Sequence, residues 1–359
     1  MQSKHSNSNQ IDEQLLNNFM LKAVGDVASS MSAMLTILGE RLGLYKALTE
    51  SGPLTSEELA IKTGTHERYV REWLANQAAG GYINYDPTSG KFALPLEQSM
   101  VLADENSPVY IHGAYQTIKS LFKDEEKFVE MFKTGKGLRW GEHHHDLFDG
   151  TARFFKPNYV GNLVQSWIPS LDGIEQKLNE GARVADIGCG YGVSTILMAK
   201  AFPNSHFFGF DNHTPSIETA KEGAKKEGVV ENLEFRSVSA NESVGNDYDF
   251  ITFFDCLHDM GDPIGAMKFA KQSLKNDGTC MIVEPMANDN LKDNLNLVGR
   301  VFYAASTLVC VPNSLADSGP GLGAQAGEKR IREVVEKAGF TRFRRATQTP
   351  FNIIYEVKP

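Results

Sequence analysis

Two stretches of this chain carry residue types whose spacing suits chemistry. In the first, Val184-Ala185-Asp186-Ile187-Gly188-Cys189-Gly190-Tyr191-Gly192, an apolar run meets three alternate glycines. Glycine is needed where the backbone turns sharply and must approach a ligand with no Cβ in the way. The helix expected from Val193 adds free N–H groups suited to a polar or anionic group. The spacing is Gly-x-Gly-x-Gly, and Val193 stands where a dinucleotide-binding loop needs its third glycine. Phe208-Gly209-Phe210-Asp211 places a carboxylate at the end of the next strand, roughly 20 residues on, where it can accept both hydroxyls of a ribose. The purely structural alternative is a tight strand-to-helix turn. The second stretch is Asp255-Cys256-Leu257-His258-Asp259-Met260-Gly261-Asp262-Pro263. It follows a strand, at the carboxyl end where an open α/β sheet binds ligands. A histidine there can take a proton from a hydroxyl near neutral pH; the alternative is that His258 caps the following turn or helps position a cofactor.

These residues resemble the class I S-adenosylmethionine-dependent methyltransferases. The resemblance implies that Asp186, Gly188, Gly190 and Gly192 meet the methionine part of the cofactor and that Asp211 binds its ribose. It assigns Asn212, Ser239, Ala240 and Asp255 to the cofactor as well, with S-adenosylhomocysteine as the product. Many members have an acidic residue for the adenine amine after the third strand of the sheet, whereas Ser239 or Asn241 stands there in this chain. Both can hydrogen-bond. Beyond the sheet, the chain is similar to bacterial methyltransferases with an N-terminal winged helix, on segments such as Glu40-Arg41-Leu42-Gly43-Leu44-Tyr45 and the His258 stretch.

Methyl transfer from a sulfonium is an in-line displacement, so the chain must mainly position the acceptor. Leu257-His258-Asp259 is similar to the stretch that carries the catalytic histidine of plant-type small-molecule O-methyltransferases. That likeness implies His258 as general base, with Glu284 as a flanking carboxylate. Glu328 matches a second one only with a spacing about one helical turn shorter. His144 and Tyr303 are the candidate acceptor contacts. His143-His144-His145 invites a metal reading, but neighbours in a regular element point away from one another, so no metal site is expected. The expected reaction is methylation of a small-molecule hydroxyl. Amine or sulfur methylation suits the same scaffold.

These residues require a doubly wound α/β sheet. Strands are expected at 183–187, 206–210, 233–238, 248–254 and 279–284, with helices between them such as 215–227 and 263–274. After a final helix at 328–338 the last two strands are expected near 343–347 and 352–357, making seven. The N-terminal part reads as short helices and a small hairpin, which together make a winged helix. Apolar spacing predicts a helix over 31–48, Thr55 and Glu58 form a capping box, and Gly80-Gly81 ends the helix that holds Trp73. The expected domains are a disordered tail at 1–12, a winged-helix dimerisation and lid domain at 13–105, a helical linker at 106–179 and the methyltransferase domain at 180–359.

Composition narrows the classes. The chain has 359 residues, 41% hydrophobic and 23% charged, an ordinary globular balance, and its net charge of −9 weakens non-specific nucleic-acid or membrane binding. No apolar run is expected to approach the roughly 20 residues of a membrane span. The four cysteines form no CxxC pair, which fits a reducing cytoplasm better than a disulfide framework or zinc. A rival from another class is a winged-helix DNA-binding regulator that senses S-adenosylmethionine. Its recognition helix would carry Arg68 and Arg71, but Glu67 and Glu72 offset them. A non-catalytic scaffold with a relic cofactor site is the third reading. The expected partners are a small-molecule acceptor and a second copy of the chain, with no nucleic acid and no membrane.

Overall fold

The computed structural model describes residues 11–238 and 245–359, which divide into two compact units, 11–115 and 116–359. Ser239 and Ala240, two of the expected cofactor contacts, and Asn241 lie outside the described residues.

The first unit opens with a 29-residue helix, Glu13–Arg41, capped by the Asp12 carboxylate on the Gln14 and Leu15 N–H groups. The helix expected over 31–48 is therefore two helices. Gly43 takes a left-handed φ of 68° and starts Leu44–Ser51, a break that apolar spacing alone does not reveal. The first helix is also long and apolar enough, by length and composition, to cross a membrane, with 11% of that window buried. Scattered polar side chains such as Asn17, Lys22 and Asp26 hide this from a search for an unbroken apolar run. The next two helices, Ser56–Thr63 and Glu67–Ala79, pack Leu59, Val70, Trp73 and Leu74 against Leu44, Tyr45 and Leu48. The Thr55–Glu58 capping box forms with both hydrogen bonds present. The hairpin follows as β1 (Asn84–Asp86) and β2 (Lys91–Ala93).

The second unit is built on seven strands: β3 (Arg183–Ile187), β4 (His206–Asp211), β5 (Leu233–Ser237), β6 (Tyr248–Phe254), β7 (Leu274–Pro285), β8 (Arg342–Gln348) and β9 (Asn352–Lys358). Their order is β5-β4-β3-β6-β7-β9-β8, parallel except for β9, which runs against both its neighbours. The order reverses between β3 and β6, which puts the ligand cleft of such a sheet at their carboxyl ends. Both faces are covered, so the inner strands are apolar on both sides. Val184, Phe207, Phe250, Met281 and Ile354 face one core. Ala185, Phe210, Ile251, Ile282 and Tyr355 face the other.

The segment expected as a linker is divided. Residues 116–179 belong to the second unit, where Tyr159, Leu163, Trp167, Ile168 and Leu178 form one wall of its core. Aromatic richness there reflects burial against the sheet, worth roughly 1.5–3 kcal/mol for each large side chain.

Candidate active site

The glycine loop joins β3 to the helix Val193–Ala201. Its three glycines all have left-handed φ, at 71°, 53° and 71°, for different reasons. A Cβ on Gly188 would lie 2.8 Å from Cys256 Sγ and one on Gly192 only 2.3 Å from the Phe235 ring. Those two glycines allow close packing. A Cβ on Gly190 would meet nothing within 4 Å among the described residues, which leaves room there for a ligand.

Asp211 closes the cradle at the end of β4. Its carboxylate accepts from the Gly190 N–H (2.9 Å) and the His213 N–H (2.8 Å), and burial raises its pKa against those bonds. Each oxygen keeps acceptor capacity for a hydroxyl. Asn212, next to it, is exposed. Asp186 behaves otherwise than expected. It has no exposed surface, and it accepts from Ser194 Oγ (2.8 Å), Thr195 Oγ1 (2.7 Å) and Thr252 Oγ1 (3.0 Å). Burial raises its pKa to about 6 despite these bonds. It ties the end of β3 to the helix behind the loop and to β6. Tyr191, between the second and third glycines, donates to Asp149 (2.8 Å) and holds the loop to the helix Asp146–Asn162.

His258 sits on a short turn, Leu257–Asp259, after β6 and is 2% exposed. Its Nδ1 lies 2.6 Å from Glu284 Oε2 on β7, itself 4% exposed. Burial pulls the imidazole pKa down, but the Glu284 charge and the Cys310 side chain outweigh it and lift it well above the ordinary value. A buried histidine held by a carboxylate on one nitrogen has the orientation a general base needs. Glu284 Oε1 is buried with no hydrogen-bond partner among the described residues.

Asp255, at the end of β6, adopts a left-handed φ of 50°, uncommon for a residue with a side chain. Its carboxylate accepts from Tyr159 Oη (2.8 Å) and Asn352 Nδ2 (2.8 Å). Burial raises its pKa to about 7, and Asp259 is raised to about 7 for the same first cause. Tyr159 and Asn352 were not visible as site residues in the sequence. They are remote from the motifs along the chain, and nothing in their local pattern marks them.

The structure leaves the two acceptor candidates apart from this cluster in its described contacts. Tyr303 is half-buried on the helix Leu297–Ala305. His144 accepts the Asp146 N–H (3.2 Å) and lies 3.1 Å from Lys123 Nζ. His144, His145 and Asp146 do bring ligand atoms within 4.8 Å of one another, contrary to the argument from adjacency. They precede and open a helix, where consecutive side chains are free to converge. Lys119 and Lys123, each 2.9 Å from the Asp146 carboxylate, already supply positive charge there.

Part of each unit is similar to a known family. Residues 178–339 match the family described as a methyltransferase domain, and residues 30–104 match the Rv2258c-like winged HTH domain. The ubiquinone biosynthesis O-methyltransferase of Actinobacillus pleuropneumoniae serotype 7 is 32% identical over 133 residues, 34% of this chain and 53% of that protein. The chain thus spans about half the length of such curated relatives. The mitomycin biosynthesis 6-O-methyltransferase of Streptomyces lavendulae is 24% identical over 312 residues, covering 83% of this chain and 82% of that protein. Among solved structures, human N-acetylserotonin methyltransferase in complex with S-adenosylmethionine shares the fold, with a TM-score of 0.67, 16% identity and coverage of 98% and 99%. The chain therefore contains a region similar to a methyltransferase domain, preceded by one similar to a winged HTH domain, on the fold of solved methyltransferases.

Proposed function

We propose that the protein transfers the methyl group of S-adenosylmethionine to a hydroxyl of a small molecule. The observation that carries this is the buried His258–Glu284 pair, 2.6 Å apart, at the carboxyl end of the strands that hold the glycine loop. When bound, the cofactor supplies a methyl group on a positively charged sulfur, ready for displacement. The chain's own residues do the rest. The open cradle at Gly190 and the carboxylate of Asp211 suit the cofactor's backbone and ribose. Asp186 holds the loop in shape, and Asn212 and Asp255 flank the cleft. Neutral His258 takes the acceptor hydroxyl's proton, and Glu284 stabilises the imidazolium that results. The relatives named as O-methyltransferases favour oxygen over nitrogen or sulfur as the acceptor atom.

The regulator reading is less well supported. On the helix Glu67–Ala79, Arg71 pairs with Glu67 (2.8 Å) and Arg68 with Glu72 (2.6 Å), which leaves little free positive charge for phosphates. The exposed side of the helix Glu13–Arg41 carries Leu15, Phe19, Met20, Val24, Val27, Met31 and Met34. This apolar face supports a homodimer through the first unit. Four free cysteines are in keeping with a cytoplasmic location.

The experiment is calorimetric titration with S-adenosylmethionine and S-adenosylhomocysteine, beside Asp211→Ala. Micromolar binding that the variant loses supports the cofactor and opens a screen of phenols, thiols and amines. No binding of either ligand overturns the proposal.

A further inference from the structure

The turn that carries His258 is held by its backbone as well as by Glu284. Three consecutive carbonyls accept from one later segment of the chain. The Gly323 N–H donates to the His258 carbonyl (3.1 Å), Asn313 Nδ2 to the Asp259 carbonyl (3.0 Å) and Ser314 Oγ to the Met260 carbonyl (2.8 Å). Asn313 and Ser314 lie on the helix Val311–Ala316, which continues from a π-helical turn, Ser306–Cys310. Turns of that kind are frequent at functional sites. Ser314 is fully buried, and its Oγ also accepts the Gly321 N–H (3.0 Å).

Asn313 has a second bond that Ser314 lacks. Its Oδ1 accepts the Trp140 N–H (2.9 Å). One partner is a donor and the other an acceptor, which fixes the way the amide points. Trp140 belongs to a strap, residues 137–149, that runs from this helix to the cofactor end of the cleft. At its start the Leu138 N–H donates to the Pro312 carbonyl (3.0 Å) and Arg139 Nε to Asp317 (3.0 Å). The two backbones approach so closely there that a Cβ on Gly137 would lie 2.1 Å from the Ala316 nitrogen. Farther on, a Cβ on Gly141 would lie 3.2 Å from the His213 ring, and the Phe148 ring stands 4.7 Å from it. The strap ends at Asp149, on Tyr191 of the glycine loop (2.8 Å). His213 is the residue whose N–H holds Asp211. Asn313 therefore joins the His258 turn to a segment anchored beside the ribose carboxylate.

We propose that Asn313 is a positioning residue for His258: its amide carries the position of the strap, and so the occupancy of the cofactor cradle, to the turn that presents the imidazole to the acceptor. A ligand shifts such an arrangement only by binding one form better than another. A ribose on Asp211 meets the strap's anchor at His213, which supplies that preference. Asn313 then acts on the Asp259 carbonyl, one residue from His258, whereas Ser314 steadies the same turn with no described bond to the strap. The imidazole takes its working orientation once the cofactor is in place. This rests on the methyl-transfer reading for the identity of the cofactor.

The test is nitrogen-15 histidine NMR on the full-length protein, with and without saturating S-adenosylhomocysteine, and with His258→Gln to assign the resonance. Calorimetry on the same samples establishes saturation. Wild type is compared with Asn313→Ala, Asn313→Asp and Ser314→Ala. The ligand moves the His258 resonance in wild type, and most of that movement is lost in both Asn313 variants. Asn313→Asp still accepts the Trp140 N–H but cannot donate to the Asp259 carbonyl, so it decides the matter if Asn313→Ala does not fold. Ser314→Ala loosens the turn without breaking the link and keeps the wild-type response. No movement in bound wild type, or equal movement in wild type and the Asn313 variants, overturns the proposal. An equal loss in Ser314→Ala also overturns it, since any loosening of the turn would then suffice. So does an Asn313 variant that binds no ligand, because the amide would then serve the cradle itself. Wild type that binds no ligand overturns the methyl-transfer reading and this proposal together, whereas the other failures leave that reading standing.

Discussion

The two ends of the cleft are assembled in opposite ways. At the cofactor end, one strand–loop–helix–strand stretch, 183–211, supplies the glycines, Asp186 and Asp211. Around His258 the polar side chains come from widely separated places: Tyr159, Asp255, Glu284 and Asn352. The cofactor end works by backbone conformation and the absence of side chains. The other end works by buried polar groups that need one another as partners. Damage should therefore differ in kind, steric at the first and electrostatic at the second.

The largest expected effect tests the steric claim. Gly192→Ala forces a Cβ into the Phe235 ring from a left-handed backbone, and overpacking plus strain together cost about 3 kcal/mol or more. Urea unfolding measures this; an unchanged midpoint would mean that close packing is not why glycine stands there. Gly190→Ala is the contrasting variant, since its Cβ meets open space. It should lose only about 1 kcal/mol of stability to strain, yet weaken cofactor binding about tenfold in calorimetry.

At the other end, His258→Ala should lower turnover about a hundredfold while cofactor affinity changes little. Equal losses of turnover and of cofactor affinity would move His258 from base to cofactor binding. The pH dependence sharpens this. A base works only when neutral, and burial and then Glu284 act in opposite directions on His258, with the net shift upward. The rate should thus rise with pH through a midpoint above the ordinary imidazole value. The same raised pKa means that the pair's stabilisation is fully present below the unfolded value of about 6.5 and is lost as pH rises through the folded one. Glu284→Gln should move the rate midpoint to lower pH, whereas an unchanged profile would remove Glu284 from the mechanism. The smallest effect is expected from Tyr159→Phe, which takes one of two described donors from Asp255 and should cost about 1 kcal/mol in thermal unfolding.

The cofactor cradle was legible because its signal is local. An apolar strand, alternate glycines and an acid one strand later can be read in order, as can the alternation that forms the seven strands. Local reading was less secure where one residue decides a path. Gly43 ends a helix that apolar spacing would continue, and Asp186 turns inward to Ser194, Thr195 and Thr252 when its motif suggests a ligand. Of the aromatic residues at 140–160, Phe155 and Tyr159 pack into the core beside the sheet.

By itself the sequence determined the order of strands and helices, the glycine loop, Asp211 and the candidacy of His258, because hydrophobic period and glycine placement act between near neighbours. Only the tertiary structure decided which nitrogen of His258 Glu284 holds, and that Tyr159 and Asn352 meet Asp255. Those pairings join positions up to 97 residues apart. They are selected by the sheet order and by the need of each buried polar group for a partner, which no local pattern records.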